Sequence, residues 1–313
     1  DPGVTEGVSP MPTVTSIANQ AVFDLPWLVA QEAGFFAEED LEVVFLPQTP
    51  WDAHRPLETD PAQVPPFWQY TAFETHAATA FNACEWGQVR RAEASSIGGR
   101  IVTLRPALVS QAIVVRPDSS LTHVQALRHK TIAVNFHAGS HYLTLQLLEG
   151  FMEREAIQVV HVGQAPGRYR ALWEGRVDAA TVMEPYIALA EKHGCHVLAE
   201  GVYVGAEILS PALDTDTANG VYRAITRAVR RINADKTPYL HHLIAELPAD
   251  LGTLTPADFH LPRLRYTAPR PYPPEEFVRT VAWMRSWGLI PEDATYERLV
   301  DNRIGVVPEA GAP

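Results

Sequence analysis

At 313 residues, with 46% hydrophobic and 20% charged residues, the chain is too long for one simple core and has the composition of a globular protein of two domains. A formal net charge of −12 excludes nucleic acid or an anionic membrane as the main partner, since both need a basic face, although a helix terminus or one Arg can still hold a small anion at contact distance. No apolar run is long enough for a transmembrane helix, no signal peptide is visible, and Cys84 and Cys195 are too few for a disulfide scaffold, so they read as a pair or as two buried thiols.

Residues 1–12 read as a loose arm, and Val14 to Ile17 as a first strand. The turn from Asn19 to Asp24 leads into a helical pattern from Pro26 to Phe36, and residues 41–46 form the next strand, so the chain begins β-α-β. Residues 47–69 break this rhythm with prolines, Trp51, His54, Phe67 and Trp68; such a loop is either the wall or lid of a site or a surface excursion packed on its own aromatics. Residues 70–91 read as helical, with His76, Cys84, Glu85 and Trp86 on them.

Val102–Leu104 and Ala112–Arg116 are strand-like, and residues 121–128 form a short helix. Residues 131–155 form the strand, turn and helix around which the rest is organised. Strands at Val159–Val162, Val177–Met183 and His196–Leu198 alternate with helices at Arg168–Gly175 and 187–193, which implies a mainly parallel sheet with its ligand loops on one edge. After residue 200 the pattern is helical, at 217–235, 239–247, 274–287 and 293–301, and Arg223, Arg227, Arg230 and Arg231 mark a solvated face.

The turn after the organising strand carries the first site expectation. Ser140 fits an N-cap, the free N–H groups of the helix start attract an anionic or polar group, and His137 and His141 flank the turn. His54, His76 and Cys84 are the candidate acid/base or nucleophilic groups. If His76, His141 and Glu184 converge, a divalent metal becomes an option; otherwise no cofactor and no metal is expected. Trp27, Trp51, Trp68, Tyr70, Phe73, Phe136 and Tyr186 could sandwich a planar ligand, and Glu184 could receive a cationic or amide donor or tie a hinge.

Several segments together resemble the periplasmic-binding-protein fold of the SsuA/THI5-like (NMT1-type) substrate-binding family, which includes sulfonate, nitrate and taurine binding proteins. They are Leu28 to Phe36 with Leu41-Glu42-Val43, Val115 to Ser120, Leu127 to Val134, Ala171 to Ala180 running into Glu184-Pro185-Tyr186, and Trp287 to Ile290; Asp40 stands where the family has Gly. The resemblance implies an α/β, two-lobed type II architecture, with residues 1–108 and 206–313 in one lobe, 109–205 in the other, and chain crossings near 105–115 and 200–211. It also implies a ligand between the lobes, contacted by Asn19, Gln20, Asp24, Trp27, Tyr70, Phe73, His76, Phe136, His137, Ser140, His141, Glu184 and Tyr186.

The function implied is that of a solute-binding protein for an ABC-type importer. Its ligand would be aromatic or heterocyclic with a polar or anionic group, its partner the importer permease, and its place periplasmic or extracytoplasmic if a signal has been removed and cytoplasmic otherwise. The proline and aromatic insertion replaces the family's Gly-x-Val-Asp segment, and the chain is more distantly similar to the aromatic sulfinate desulfinase built on the same fold. That enzyme's nucleophilic Cys would fall near Ala21 and its Arg near Ala72, so both groups are missing, and Cys84 lies on a different element. The alternative is an enzyme on this fold, a lyase or hydrolase acting on a small aromatic acid, with His54 or His76 as acid/base.

Overall fold

The computed structural model describes residues 10–47, 57–64 and 70–304. Most of the N-terminal arm, and Trp51, His54, Phe67 and Trp68 of the proline and aromatic loop, lie outside the described residues.

The chain opens with β1 (Thr13–Ile17), α1 (Ala21–Glu32) and β2 (Glu42–Leu46), the two strands parallel. The helix starts at Ala21 rather than Pro26, so Pro26 lies inside it. A proline there has no N–H to give to the carbonyl of Val22 one turn back. The Tyr266 hydroxyl donates to that carbonyl at 2.9 Å, and the helix continues.

Residues 70–91 do not form one helical stretch. A single turn, α2 (Thr71–Glu74), leads into β3 (Ala80–Cys84) and then α3 (Glu85–Ala94). Because β3 is buried at every position, it shows no polar alternation, and its two alanines favour a helix when read locally. β4 (Arg100–Val115) fuses the two short strands expected at its ends. The organising segment becomes β5 (Thr131–Val134) and α4 (Gly139–Glu149), followed by β6 (Gln158–His161), α5 (Ala165–Trp173), β7 (Ala179–Met183) and α6 (Tyr186–Lys192).

β8 (His196–Leu209) runs well past residue 200, where a helical pattern was expected. Gly201 and Gly205 interrupt its apolar signal, and antiparallel pairing with β4 along its length supplies the hydrogen bonds that local sequence does not announce. The chain ends with α7 (Thr215–Ala234), α8 (Leu240–Ala245), β9 (Leu264–Tyr266), α9 (Pro274–Ser286) and α10 (Tyr296–Leu299). The basic face of α7 is exposed as expected, with Arg223 paired to Glu39 at 2.7 Å and Arg227 to Glu38 at 2.6 Å.

The sheet order is β2-β1-β3-β8-β4-β7-β5-β6, with β9 on β4. β1, β2 and β3 are parallel at one end, and β5, β6 and β7 at the other. β8 and β4 stand between the groups, antiparallel to β3 and β7 respectively. The α/β expectation with parallel strand groups holds. Its functional consequence is that helices beginning after β1, β3, β5 and β6 present their amino ends where the two parallel groups meet.

Candidate functional site

A cavity of about 40 Å³ lies at that meeting point. Its wall includes Gln20, Cys84, Ala138 and Gln164, the residues that precede the first turns of α1, α3, α4 and α5. Each helix start carries roughly half a positive charge; the residues at the N-cap positions of α1, α4 and α5 make no side-chain cap, and Glu246, just after α8, accepts from the first N–H of α1. Four positive poles on one small cavity favour an anion.

Two buried arginines strengthen the same field. Arg168 donates from Nε to the Thr181 carbonyl at 2.7 Å and from Nη1 to the Gly163 carbonyl at 2.5 Å, with Met183 Sδ 3.8 Å from Nη2. All of these acceptors are neutral, so its charge is oriented without being cancelled. Burial pulls its guanidinium down to about 10, with the Tyr203 and Tyr186 hydroxyls acting the other way, so it stays charged at neutral pH. Arg91 donates to the His137 carbonyl at 3.3 Å and lies 5.2 Å from the Phe81 ring centre; burial lowers its pKa as well.

Close backbone approach makes this arrangement possible. A Cβ on Gly139 would stand 2.2 Å from the Tyr203 hydroxyl, and one on Gly87 would stand 2.4 Å from Arg91 Nη1. Tyr203 accepts from Gln111 Nε2 at 2.8 Å. The side-chain oxygens of Gln20, Gln111 and Asn135 are buried without a hydrogen-bond partner among the described residues, and all three residues line the cavity. Orphaned amides in a polar cavity suit a ligand that completes their hydrogen bonds.

Of the residues expected at the site, Asn19, Gln20, Ser140 and Cys84 line the cavity. Ser140 is not the N-cap: it lies inside α4, and its Oγ accepts from the Asn135 N–H at 2.9 Å. Cys84 Sγ accepts from the Gly87 N–H at 3.3 Å. Asp24 supports the wall from behind, accepting from the Asn19 N–H at 2.6 Å and from Asn82 Nδ2 at 2.7 Å.

The histidines form a framework. His137 Nε2 donates to the Pro61 carbonyl at 2.8 Å, and the His137 N–H donates to His141 Nδ1 at 3.2 Å. The Phe136 N–H donates to His161 Nδ1 at 2.9 Å. Burial pushes His141 down to about 3, helped by His137 and His161, so it is a neutral acceptor. His137 precedes α4 with a left-handed φ of 60°, so the pair does not occupy adjacent turns of one helix. Together these bonds fix the carbonyl that holds Arg91.

The other described candidates do not line the cavity. His76 is exposed in the turn after α2 and stands outside the cavity, so it is no acid/base there. His54 lies outside the described residues. His76, His141 and Glu184 do not form a metal-ligand group among the described residues. Trp27, Tyr70, Phe73, Phe136 and Tyr186 are at most 2% exposed, Tyr70 stacked on Phe73 at 4.7 Å, and none of them is on the wall of this cavity. Glu184 accepts from the Ala188 N–H at 3.0 Å and lies 3.8 Å from Arg263, so it ties down the start of α6; burial raises its carboxyl to about 7.

No protein-family model and no curated protein matches the sequence. Solved structures do. The alkanesulfonate-binding protein SsuA from Xanthomonas axonopodis pv. citri, bound to MOPS, aligns with a TM-score of 0.70 over 93% of this chain and 96% of that one, at 16% identity. The chain has the periplasmic-binding-protein fold. The periplasmic aliphatic sulphonate binding protein SsuA from Escherichia coli aligns at a TM-score of 0.68 over 94% and 99% of the two chains, also at 16% identity. The same fold carries the desulfurization enzyme DszB, similar at a TM-score of 0.61 over 92% and 96% of the chains and 16% identity. Among the described residues no helix is long and apolar enough to cross a membrane.

In this fold the parallel strand groups deliver the site, and that explains what the sequence missed. Arg91, Gln111, Gln164, Arg168 and Tyr203 line the cavity but come from four different elements, α3, β4, α5 and β8. Arg168 carried a readable signal: a cation near the start of a helix opposes the dipole, so its presence there needs another reason.

Proposed function

We propose that the chain is the solute-binding component of an ABC-type importer and that it holds a small anionic molecule by its charged head. The reading rests on one observation: two buried arginines and four helix starts share a cavity of about 40 Å³. A cavity of that size takes a sulfonate, carboxylate or phosphonate group in place of a few waters. An aromatic or heterocyclic body on such a ligand would meet Phe23, Phe81, Met183 and Tyr203. In this reading residues 1–108 with 206–313 and residues 109–205 are the two lobes, β4 and β8 carry the crossings, and the closed form is what the importer permease recognises.

The test is thermal denaturation with a panel of small sulfonates, carboxylates and phosphonates, each beside its neutral amide or alcohol. At least one anion should raise Tm by several degrees at concentrations far above its Kd, and its neutral counterpart should not. Equal shifts by the neutral partners, or by organic cations, would overturn the reading.

An enzyme on the same fold is the second reading, favoured by the position of Cys84 on the cavity at the start of α3. Cys84→Ser separates the two. A binding protein keeps its ligand in that variant, whereas an enzyme that uses the thiolate as nucleophile loses turnover.

A further inference from the structure

We propose a zinc site on the surface, built from Glu32, His241 and His242 and independent of the anion cavity. Glu32 is the last residue of α1, and the two histidines lie in the first turn of α8. His242 Nε2 is 3.2 Å from Glu32 Oε2, and His241 Nε2 is 3.6 Å from Glu32 Oε1. The imidazole centres are 4.0 Å apart, and one ligand atom from each of the three residues falls within 4.8 Å of the others.

Zinc bonds of about 2.0–2.2 Å to nitrogen and oxygen place neighbouring ligands of a tetrahedron roughly 3.4 Å apart. The carboxylate-to-imidazole distances of 3.2 and 3.6 Å, each to a different oxygen of Glu32, bracket that edge, and side-chain rotation within the 4.8 Å spread of the ligand atoms would bring both imidazoles onto one zinc ion.

Two further features point to a cation. His241 Nδ1 lies 2.8 Å from the Pro238 carbonyl, which accepts its proton and leaves Nε2 as the metal-binding nitrogen. The site also stands at the negative pole of α1, whose last turn carries no basic residue. Two imidazoles and a carboxylate suit zinc, and the fourth position, facing solvent, takes water. The metal would fasten the start of α8 to the end of α1. Glu246, just after α8, already accepts from the Ala21 N–H at the opposite end of α1, so zinc would secure α8 along the helix that opens onto the cavity.

The experiment is isothermal titration of zinc chloride into the chelator-stripped full chain, repeated with cobalt(II) to read the visible absorption of a tetrahedral site. One zinc per chain and a tetrahedral cobalt band are expected. His242→Ala and the double variant His241→Ala/His242→Ala should each weaken binding by more than about 100-fold, beyond what loss of an outer-shell partner costs. His123→Ala, at an exposed histidine elsewhere, should bind as the parent does, and circular dichroism confirms that each variant is folded. No binding by the parent at millimolar metal, or unchanged binding in the double variant, would overturn the proposal.

Discussion

Glu246→Gln should be increasingly more stable than the parent as the pH rises. The carboxylate Oε2 is buried without a partner among the described residues, while the other oxygen accepts from the Ala21 N–H. Burial raises this carboxyl from 4.5 to about 8, with the Ala21 bond opposing and Asp24 adding to the rise. The folded state therefore binds a proton that the unfolded state gives up above pH 4.5. Stability from this group is complete below that pH and is lost as the pH climbs through about 8. Each pKa unit corresponds to about 1.4 kcal/mol, which sets an upper bound of roughly 5 kcal/mol on the loss; the residue as a whole is only half-buried, so the measured value should be smaller. Gln keeps an acceptor for Ala21 and does not titrate. Urea denaturation followed by circular dichroism at pH 5, 7 and 8.5 should show parent and variant diverging by a few kcal/mol toward high pH. Parallel curves would refute the assignment, and because Glu184 titrates in both proteins, only the difference between them is read.

Three further outcomes follow from the geometry. Gly139→Ala places a methyl against Tyr203, which must give way and strain its bond to Gln111; we expect a loss of about 1–3 kcal/mol in stability and a larger loss in ligand affinity, read by denaturation and calorimetry. Tyr266→Phe removes the donor that replaces the missing N–H of Pro26 and should cost about 1–3 kcal/mol by the same denaturation assay, whereas a change within error would show that the Val22 carbonyl finds water instead. Gln164→Glu puts a carboxylate at the start of α5, where the dipole tolerates it, yet beside the cavity; the fold should hold while anion affinity falls by about 100-fold, the scale of a like-charge contact at a partly desolvated site.

How far these features could be read from sequence depended on whether their cause was local. The opening β-α-β unit and the segment that became β5 and α4 announce themselves through short-range periodicity. β3 and the long part of β8 do not, because burial among neighbouring strands stabilises them without a pattern of their own. The same division holds at the site. Asn19 and Gln20 belong to the turn before α1 and Ser140 to the first turn of α4, and all three were legible as lying at helix starts. Arg91 sits near the end of its helix, where a basic residue is unremarkable, and only the packing of α3 against the His137 loop turns it toward the cavity. Rings at core positions and rings at ligand positions look alike in sequence: Phe23, Phe81 and Tyr203 line the cavity, whereas Trp27, Tyr70, Phe73, Phe136 and Tyr186 do not.

The most direct test of the central claim is native mass spectrometry of the protein purified without denaturation, beside the Gln164→Glu variant. A single small anion on the parent and none on the folded variant is the predicted result. A neutral or cationic molecule on the parent, or an anion retained equally by the variant, would contradict the account of the cavity.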